Sequence, residues 1–109
     1  MRNFNGGGNM KNMMKQVQKL QKDMEAKREE VANQEFEVSS GGGVCTVTIN
    51  GNKEITKIVL DPEVVDPDDV ETLCDLIMAA TNEAIKKADD EMENAMGQFT
   101  KGLNMPGLF

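Results

Sequence analysis

Apolar residues near the N-terminus recur at alternating spacings of three and four, which is the period of an amphipathic helix. They form one series, with Lys27 where a further apolar residue is due: Met10, Met13, Val17, Leu20, Met24 and Val31. This pattern predicts a helix with one apolar stripe. A helix of about 24 residues would be about 36 Å long, which is longer than a core of this size needs.

The middle of the chain changes to a period of two, which is typical of β-strands. Residues 35–38 alternate polar and apolar side chains, and the small residues 39–43 interrupt them. Residues 44–49 are rich in β-branched side chains, which favour strands. Asn50-Gly51 then predicts a tight turn, since both residue types tolerate positive φ. Residues 54–60 complete a predicted three-stranded antiparallel meander, although their pattern leaves the buried face of the third strand open.

A second helix follows the strands. Asp66 is placed to cap it and Pro67 suits its first position, because proline has no backbone N–H to leave unpaired there. Apolar residues then recur at helical spacing from Val70 to Ala95, and Gly97 is predicted to end the helix.

The chain of 109 residues is expected to form one α+β domain, with the order helix, three-stranded meander, long helix. Residues 1–8 contain three consecutive glycines and are predicted to form a flexible N-terminal arm. Residues 9–97 would be the domain, and residues 98–109 a mobile C-terminal tail. Helices this long would extend past the small sheet and leave apolar stripes exposed, so we expect a symmetric homodimer. The alternative is a monomer whose helices pack as an antiparallel pair.

Charge is distributed unevenly along the chain. The net charge is −7, yet residues 1–28 hold seven positive and two negative side chains. On a helical wheel, four lysines fall within about 80° of one another, opposite the apolar stripe: Lys11, Lys15, Lys19 and Lys22. We call these four residues the lysine row. A solvated helix face, a protein contact and a polyanion contact all remain open, but a row without interleaved acids suits contacts to phosphates.

If the polyanion is DNA, the composition narrows the mode of binding. Trp and Tyr are absent, so a platform for stacking single-stranded bases would be hard to build. Arg28 falls on the apolar side of the helix, which leaves little capacity for bidentate recognition of guanine. Backbone-directed binding to double-stranded DNA fits best.

Other chemistry is not expected. Histidine is absent, and Cys45 and Cys74 follow apolar patterns typical of buried thiols. We therefore predict no catalytic residues, no metal site, no cofactor and no small-molecule substrate. Without an apolar run suited to a membrane span or a secretion signal, we expect no membrane association and a cytoplasmic location.

Two segments carry a family resemblance. The first segment, residues 10–65, includes a MKQ sequence in the first helix, V-T-I-N-G and a strand leading to D-P-E. The second segment is residues 75–96. Both resemble the bacterial YbaB/EbfC family of nucleoid-associated proteins. The resemblance implies a tweezer-like homodimer that holds DNA with its projecting helices and alters DNA conformation. It also implies a nucleoid location and roles in nucleoid organisation, gene regulation and DNA protection.

Matched onto this chain, the DNA-binding candidates are the lysine row together with Lys86 and Lys87, beside which the acidic run 89–91 lies. The alternative is a protein–protein interaction module that uses the Met-rich long helices without direct DNA binding.

Overall fold

The elements follow the predicted order and confirm the α+β class. The computed structural model describes residues 2–103, and the side chains of residues 10–99. Two long helices flank a three-stranded sheet, with a short 3-10 turn at Pro62–Val64. The bounds are α1 Arg2–Asn33, β1 Glu35–Ser40, β2 Cys45–Asn50, β3 Ile55–Leu60 and α2 Val70–Leu103.

Both helices are longer than predicted. The helix α1 runs through Gly6–Gly8, and α2 continues through Gly97, so the expected start near residue 9 and the expected end at Gly97 are wrong. Glycine costs about 1 kcal/mol relative to alanine inside a helix, which weakens the helix without ending it. The mobility of residues 1–8 and 98–109 stays a prediction, and Met1 and residues 104–109 lie outside the described part of the chain.

The start of α2 also differs from the prediction. The helix begins at Val70, and its cap is Asp69, whose Oδ1 accepts a hydrogen bond from the backbone N–H of Thr72 at 3.3 Å. Asp66 instead organises the preceding turn, where its Oδ1 accepts from the N–H of Asp68 at 2.9 Å. Either carboxylate could cap a helix, and the one next to the first apolar position does so.

The sheet is an antiparallel meander in the order β1-β2-β3, as predicted. Alternate residues of β2 point toward α2 and are fully buried, while α2 presents alanines at a spacing of four. Small side chains at this spacing let the helix approach the sheet closely. The buried core cluster is Cys45, Val47, Ile49, Ala80, Ala84 and Ala88. The core prediction for Cys45 is thus confirmed, whereas Cys74 is exposed and its predicted burial is wrong.

Strand pairing assigns the face of β3 that the sequence left open. Ile58 lies opposite the buried Val47 and Leu60 opposite the buried Cys45, so both are on the helix side of the sheet. The helices pack mainly on β1 and β2, however, and cover little of β3 beyond Leu60. Ile55 and Ile58 are accordingly 41% and 45% exposed.

The connection from β2 to β3 is a tight turn, as predicted, closed by the hydrogen bond from the N–H of Lys53 to the carbonyl of Asn50, but neither Asn50 nor Gly51 has a positive φ. Gly51–Glu54 separate the strands, and the residue with positive φ is Lys53, at 67°. Gly51 instead lies against the backbone of the last turn of α1.

The molecule is elongated, with principal extents of 83 × 24 × 16 Å. Because α1 and α2 are each about 50 Å long, both must run along the long axis. Within the described residues, neither helix has a stretch apolar and uncharged enough to cross a membrane.

Candidate nucleic-acid interface

The lysine row lies on α1, and all four side chains are exposed. Lys11 and Lys22 are eleven residues apart, which is about 16 Å along the helix axis. Continuous helix through this segment keeps the four ammonium groups on one side of the rod.

The charge of the lysine row is uncompensated except near Asp23, which lies one helical turn from Lys19. Between Lys11 and Lys22, every residue other than Lys15 and Lys19 is uncharged, and the first acid in sequence is Asp23. Among the described side chains, the ion pairs are Lys27 with Glu30 and Lys53 with Asp89. Neither pair involves the row, so its positive field faces solvent.

The apolar stripe of α1 divides the helix into two parts. Val31 is buried, and Leu20 and Met24 are half-buried toward the end of α1 that packs on α2. Farther from the sheet, the apolar side chains are each more than half exposed: Met10, Met13, Met14 and Val17. We call this set the methionine stripe. The part of α1 that bears most of the lysine row is thus a projecting arm with a bare apolar flank.

Lys86 and Lys87 lie apart from the lysine row. Both are exposed on α2. Lys86 lines a groove that also includes Arg28 of α1, and Arg28 lies six residues after Lys22 in the sequence. That groove also contains Asp89, Asp90 and Glu93, and an adjoining groove that both lysines line adds Glu37, Glu83 and Glu91. Acidic neighbours reduce the local positive potential, in contrast to the situation along the row.

A second exposed apolar surface was not predicted from the sequence. Leu76 lies over β1, because its carbonyl accepts a hydrogen bond from Ser40 Oγ at 2.8 Å. On the helical wheel of α2, Cys74, Met78 and Ile85 are about 160–200° from Leu76. They therefore lie on the flank of α2 that faces β3, and all three are exposed.

The helical wheel and the strand register place this flank of α2 beside the exposed helix-side residues of β3, and we call these two sets of residues the α2–β3 surface. Its members are Ile55, Ile58, Cys74, Met78 and Ile85. Helical spacing alone assigned Met78 and Ile85 to an apolar face without showing how far the sheet would cover it. The one sequence signal was the unusual run of apolar residues in β3, which would suit burial by a further layer.

Comparisons with known proteins agree with the resemblance seen in the sequence. Residues 6–103 match the YbaB/EbfC DNA-binding family. A nucleoid-associated protein of Clostridium acetobutylicum is 56% identical over 103 residues, covering 94% of this chain and 92% of that protein. A nucleoid-associated protein of Clostridium kluyveri is 52% identical over 107 residues, covering 98% and 94%.

A solved structure extends the comparison to the fold. An uncharacterized protein from Helicobacter pylori superposes with a TM-score of 0.60 at 23% identity, covering 72% of this chain and 90% of that one. At this identity the likeness concerns the fold alone. The range of the family match, residues 6–103, spans the positions of the lysine row, Lys86 and Lys87.

Proposed function

Because the chain belongs to the YbaB/EbfC DNA-binding family, we propose that it is a nucleoid-associated protein whose homodimer binds double-stranded DNA, largely through backbone contacts of the lysine row. The proposed consequences are a change in DNA conformation and roles in nucleoid organisation, gene regulation and DNA protection. Its proposed location is the nucleoid.

The observation that carries this proposal is the exposed lysine row on a projecting arm, which forms no ion pair among the described side chains. Each lysine that contacts a phosphate displaces condensed counterions, and the entropy of their release drives binding without reading sequence. A span of about 16 Å corresponds to about five base pairs at 3.4 Å each. A single arm can therefore follow a short length of one backbone.

Duplex DNA is favoured over single strands by what surrounds the row. Base stacking needs exposed aromatic rings beside the cations. Phe36 packs against the core and Phe99 is half-buried on α2. Within the described side chains, no aromatic ring accompanies the lysine row.

The homodimer is supported by the α2–β3 surface. Ile55 and Ile58 lie on the helix side of the sheet, which the helices cover at β1 and β2. Their exposure means that this apolar layer is not fully covered in the single chain. A second copy related by twofold symmetry would place the same surface of each protomer against the other. This dimer would leave both α1 arms projecting and would supply eight lysines to DNA.

The proposal is tested by replacing all four lysines of the row with glutamine. We expect much weaker retardation of two unrelated duplexes, by similar factors, because phosphate contacts carry no sequence information. A variant with arginine at the same four positions should keep binding, because the charge is retained. Lys57→Gln is the matched control, since Lys57 is exposed on β3 and away from the arm. Unchanged binding by the four-glutamine variant would refute the assignment of the lysine row as the DNA site.

A second candidate function is favoured by the methionine stripe. Exposed methionines adapt to irregular partner surfaces, so the arm also has the character of a protein-binding helix. This candidate predicts a complex that survives high salt and is lost when Met13 and Met14 are replaced by serine. The DNA proposal predicts instead that these two substitutions change DNA affinity little, because neither side chain contacts phosphate.

A further inference from the structure

The base of α1 makes a backbone contact that only glycine permits. Gly51 is buried, and its N–H donates to the carbonyl of Gln34 at 3.1 Å, directly after α1 ends. A Cβ built on Gly51 would lie 2.0 Å from the carbonyl oxygen of Val31 and 2.9 Å from Cα of Ala32. These are backbone atoms of the last turn of α1, which would have to move. Gly51 therefore serves close approach rather than positive φ.

The turn that carries Gly51 is itself held in one conformation. The side-chain Oδ1 of Asn50 accepts from the N–H groups of Asn52 at 2.9 Å and Glu54 at 3.0 Å. The N–H of Lys53 donates to the carbonyl of Asn50 at 2.9 Å. Three hydrogen bonds across five residues leave the turn little freedom.

Lys53 is the residue that links this turn to α2. Its φ of 67° lies in the left-handed region, which a Cβ disfavours and which persists where surrounding contacts impose it. Its ammonium group forms an ion pair with Asp89 of α2. The β2–β3 turn thus touches the end of α1 on one side and the middle of α2 on the other.

The length of the arm makes its direction sensitive to this joint. Lys11 lies twenty residues before Val31, which is about 30 Å along the axis. A tilt of about 10° at the base would displace Lys11 by about 5 Å. Successive phosphates of one strand are about 3.4 Å apart along the duplex axis, so this tilt exceeds one step of the backbone. Simultaneous contact by several lysines therefore requires a fixed base.

We propose that the β2–β3 turn, through Gly51 and the Lys53–Asp89 ion pair, fixes the direction in which α1 projects and so positions the lysine row on duplex DNA. Gly51, Lys53 and Asp89 are then positioning residues that do not themselves contact DNA. This inference rests on the proposed function, because it presumes that the row is the DNA site.

The first test compares two glycine-to-alanine variants of the full chain. Gly51→Ala should displace the last turn of α1, whereas a Cβ at Gly97 meets nothing within 4 Å and Gly97→Ala serves as the control. We expect Gly51→Ala to weaken duplex binding at least about tenfold and to make the salt dependence shallower, because fewer lysines reach phosphates together. Gly97→Ala should retain the wild-type affinity and salt dependence.

A direct measurement separates positioning from a loss of stability. Spin labels at Asn12→Cys and Glu83→Cys, in a Cys74→Ser background, report the distance from the arm to α2. The labelled protein is diluted with unlabelled protein to suppress distances between protomers. At temperatures where circular dichroism shows full folding, Gly51→Ala should shift or broaden this distance and Gly97→Ala should not. A purely structural role would lower the melting temperature but leave the distance unchanged.

The ion pair is tested by exchanging its charges. Lys53→Asp and Asp89→Lys, each alone, should broaden the distance, and Lys53→Asp should also weaken DNA binding. The double variant restores the pair at unchanged net charge and should recover both. Failure of the double variant to recover either quantity would overturn the role of the pair.

Different results would refute the proposed function and the positioning role. If glutamine at the four positions of the lysine row leaves DNA binding unchanged, the proposed function fails. If those substitutions abolish binding while Gly51→Ala keeps the wild-type affinity, salt dependence and distance, the proposed function stands and the positioning role is wrong.

Discussion

Replacing Ile58 by glutamate should separate the two protomers of the proposed dimer. Ile58 lies on the helix side of β3, opposite the buried Val47, yet 45% of it is exposed in the single chain. A second copy packed on the α2–β3 surface would cover this remaining area. Glutamate would place a carboxylate in the same position.

The size of the effect follows from the exposed fraction. Complete burial of an isoleucine side chain contributes about 1.5–3 kcal/mol, so covering the remaining 45% contributes about 1 kcal/mol per protomer. Twofold symmetry doubles this to about 2 kcal/mol, or about 30-fold in the dimer dissociation constant. Burying two carboxylates costs additional free energy, so Ile58→Glu should raise the dimer dissociation constant by more than this factor. Ile58→Ala, which adds no charge, should raise the dimer dissociation constant by only about 30-fold.

Val59→Glu is the matched control. Val59 is the next residue of the same strand and is 49% exposed, but it lies on the opposite face of the sheet because its strand partner is Thr46. Sedimentation velocity over a dilution series should show a monomer for Ile58→Glu where the wild type and Val59→Glu remain dimeric. Equal effects of the two substitutions, or a wild type that is monomeric throughout, would refute the assignment of the α2–β3 surface as the dimer interface.

Two further predictions concern the second helix and the core. The double variant Lys86→Gln/Lys87→Gln should lose less duplex affinity than Lys15→Gln/Lys19→Gln, because acidic side chains surround Lys86 and Lys87. Fluorescence anisotropy measures both affinities, and an equal loss would contradict this ranking. Val47→Ala should lower the free energy of unfolding by about 2 kcal/mol, since Val47 is fully buried in the core. Urea denaturation at fixed protein concentration measures this change, and a change below about 0.5 kcal/mol would contradict the assignment of Val47 to the core.

The element order could be predicted because each segment keeps one period. The three-and-four spacing from Met10 to Val31 and the alternation in residues 44–49 depend only on local geometry, so both gave the correct element type. Helix ends were less accurate. Glycine frequently terminates helices, but a single glycine costs a helix only about 1 kcal/mol, and α2 continues through Gly97 to Leu103.

The candidate site was partly predictable for the same reason. The lysine row is a property of one helix, so a helical wheel suffices to find it. The α2–β3 surface depends on how far the helices cover the sheet, which no single segment encodes. The role of Gly51 likewise depends on the approach of α1, twenty residues earlier in the chain, to the β2–β3 turn.

The central claim is that the lysine row binds the backbone of duplex DNA, and its most direct test is the salt dependence of binding. For wild-type protein and an arbitrary duplex, the logarithm of affinity should fall against the logarithm of salt concentration with a slope of up to about −7 if all eight lysines of a dimer contact phosphates. With glutamine at the four positions in each arm, the slope should become much shallower. A steep slope that is the same for wild type and variant would place the phosphate contacts elsewhere and contradict the account.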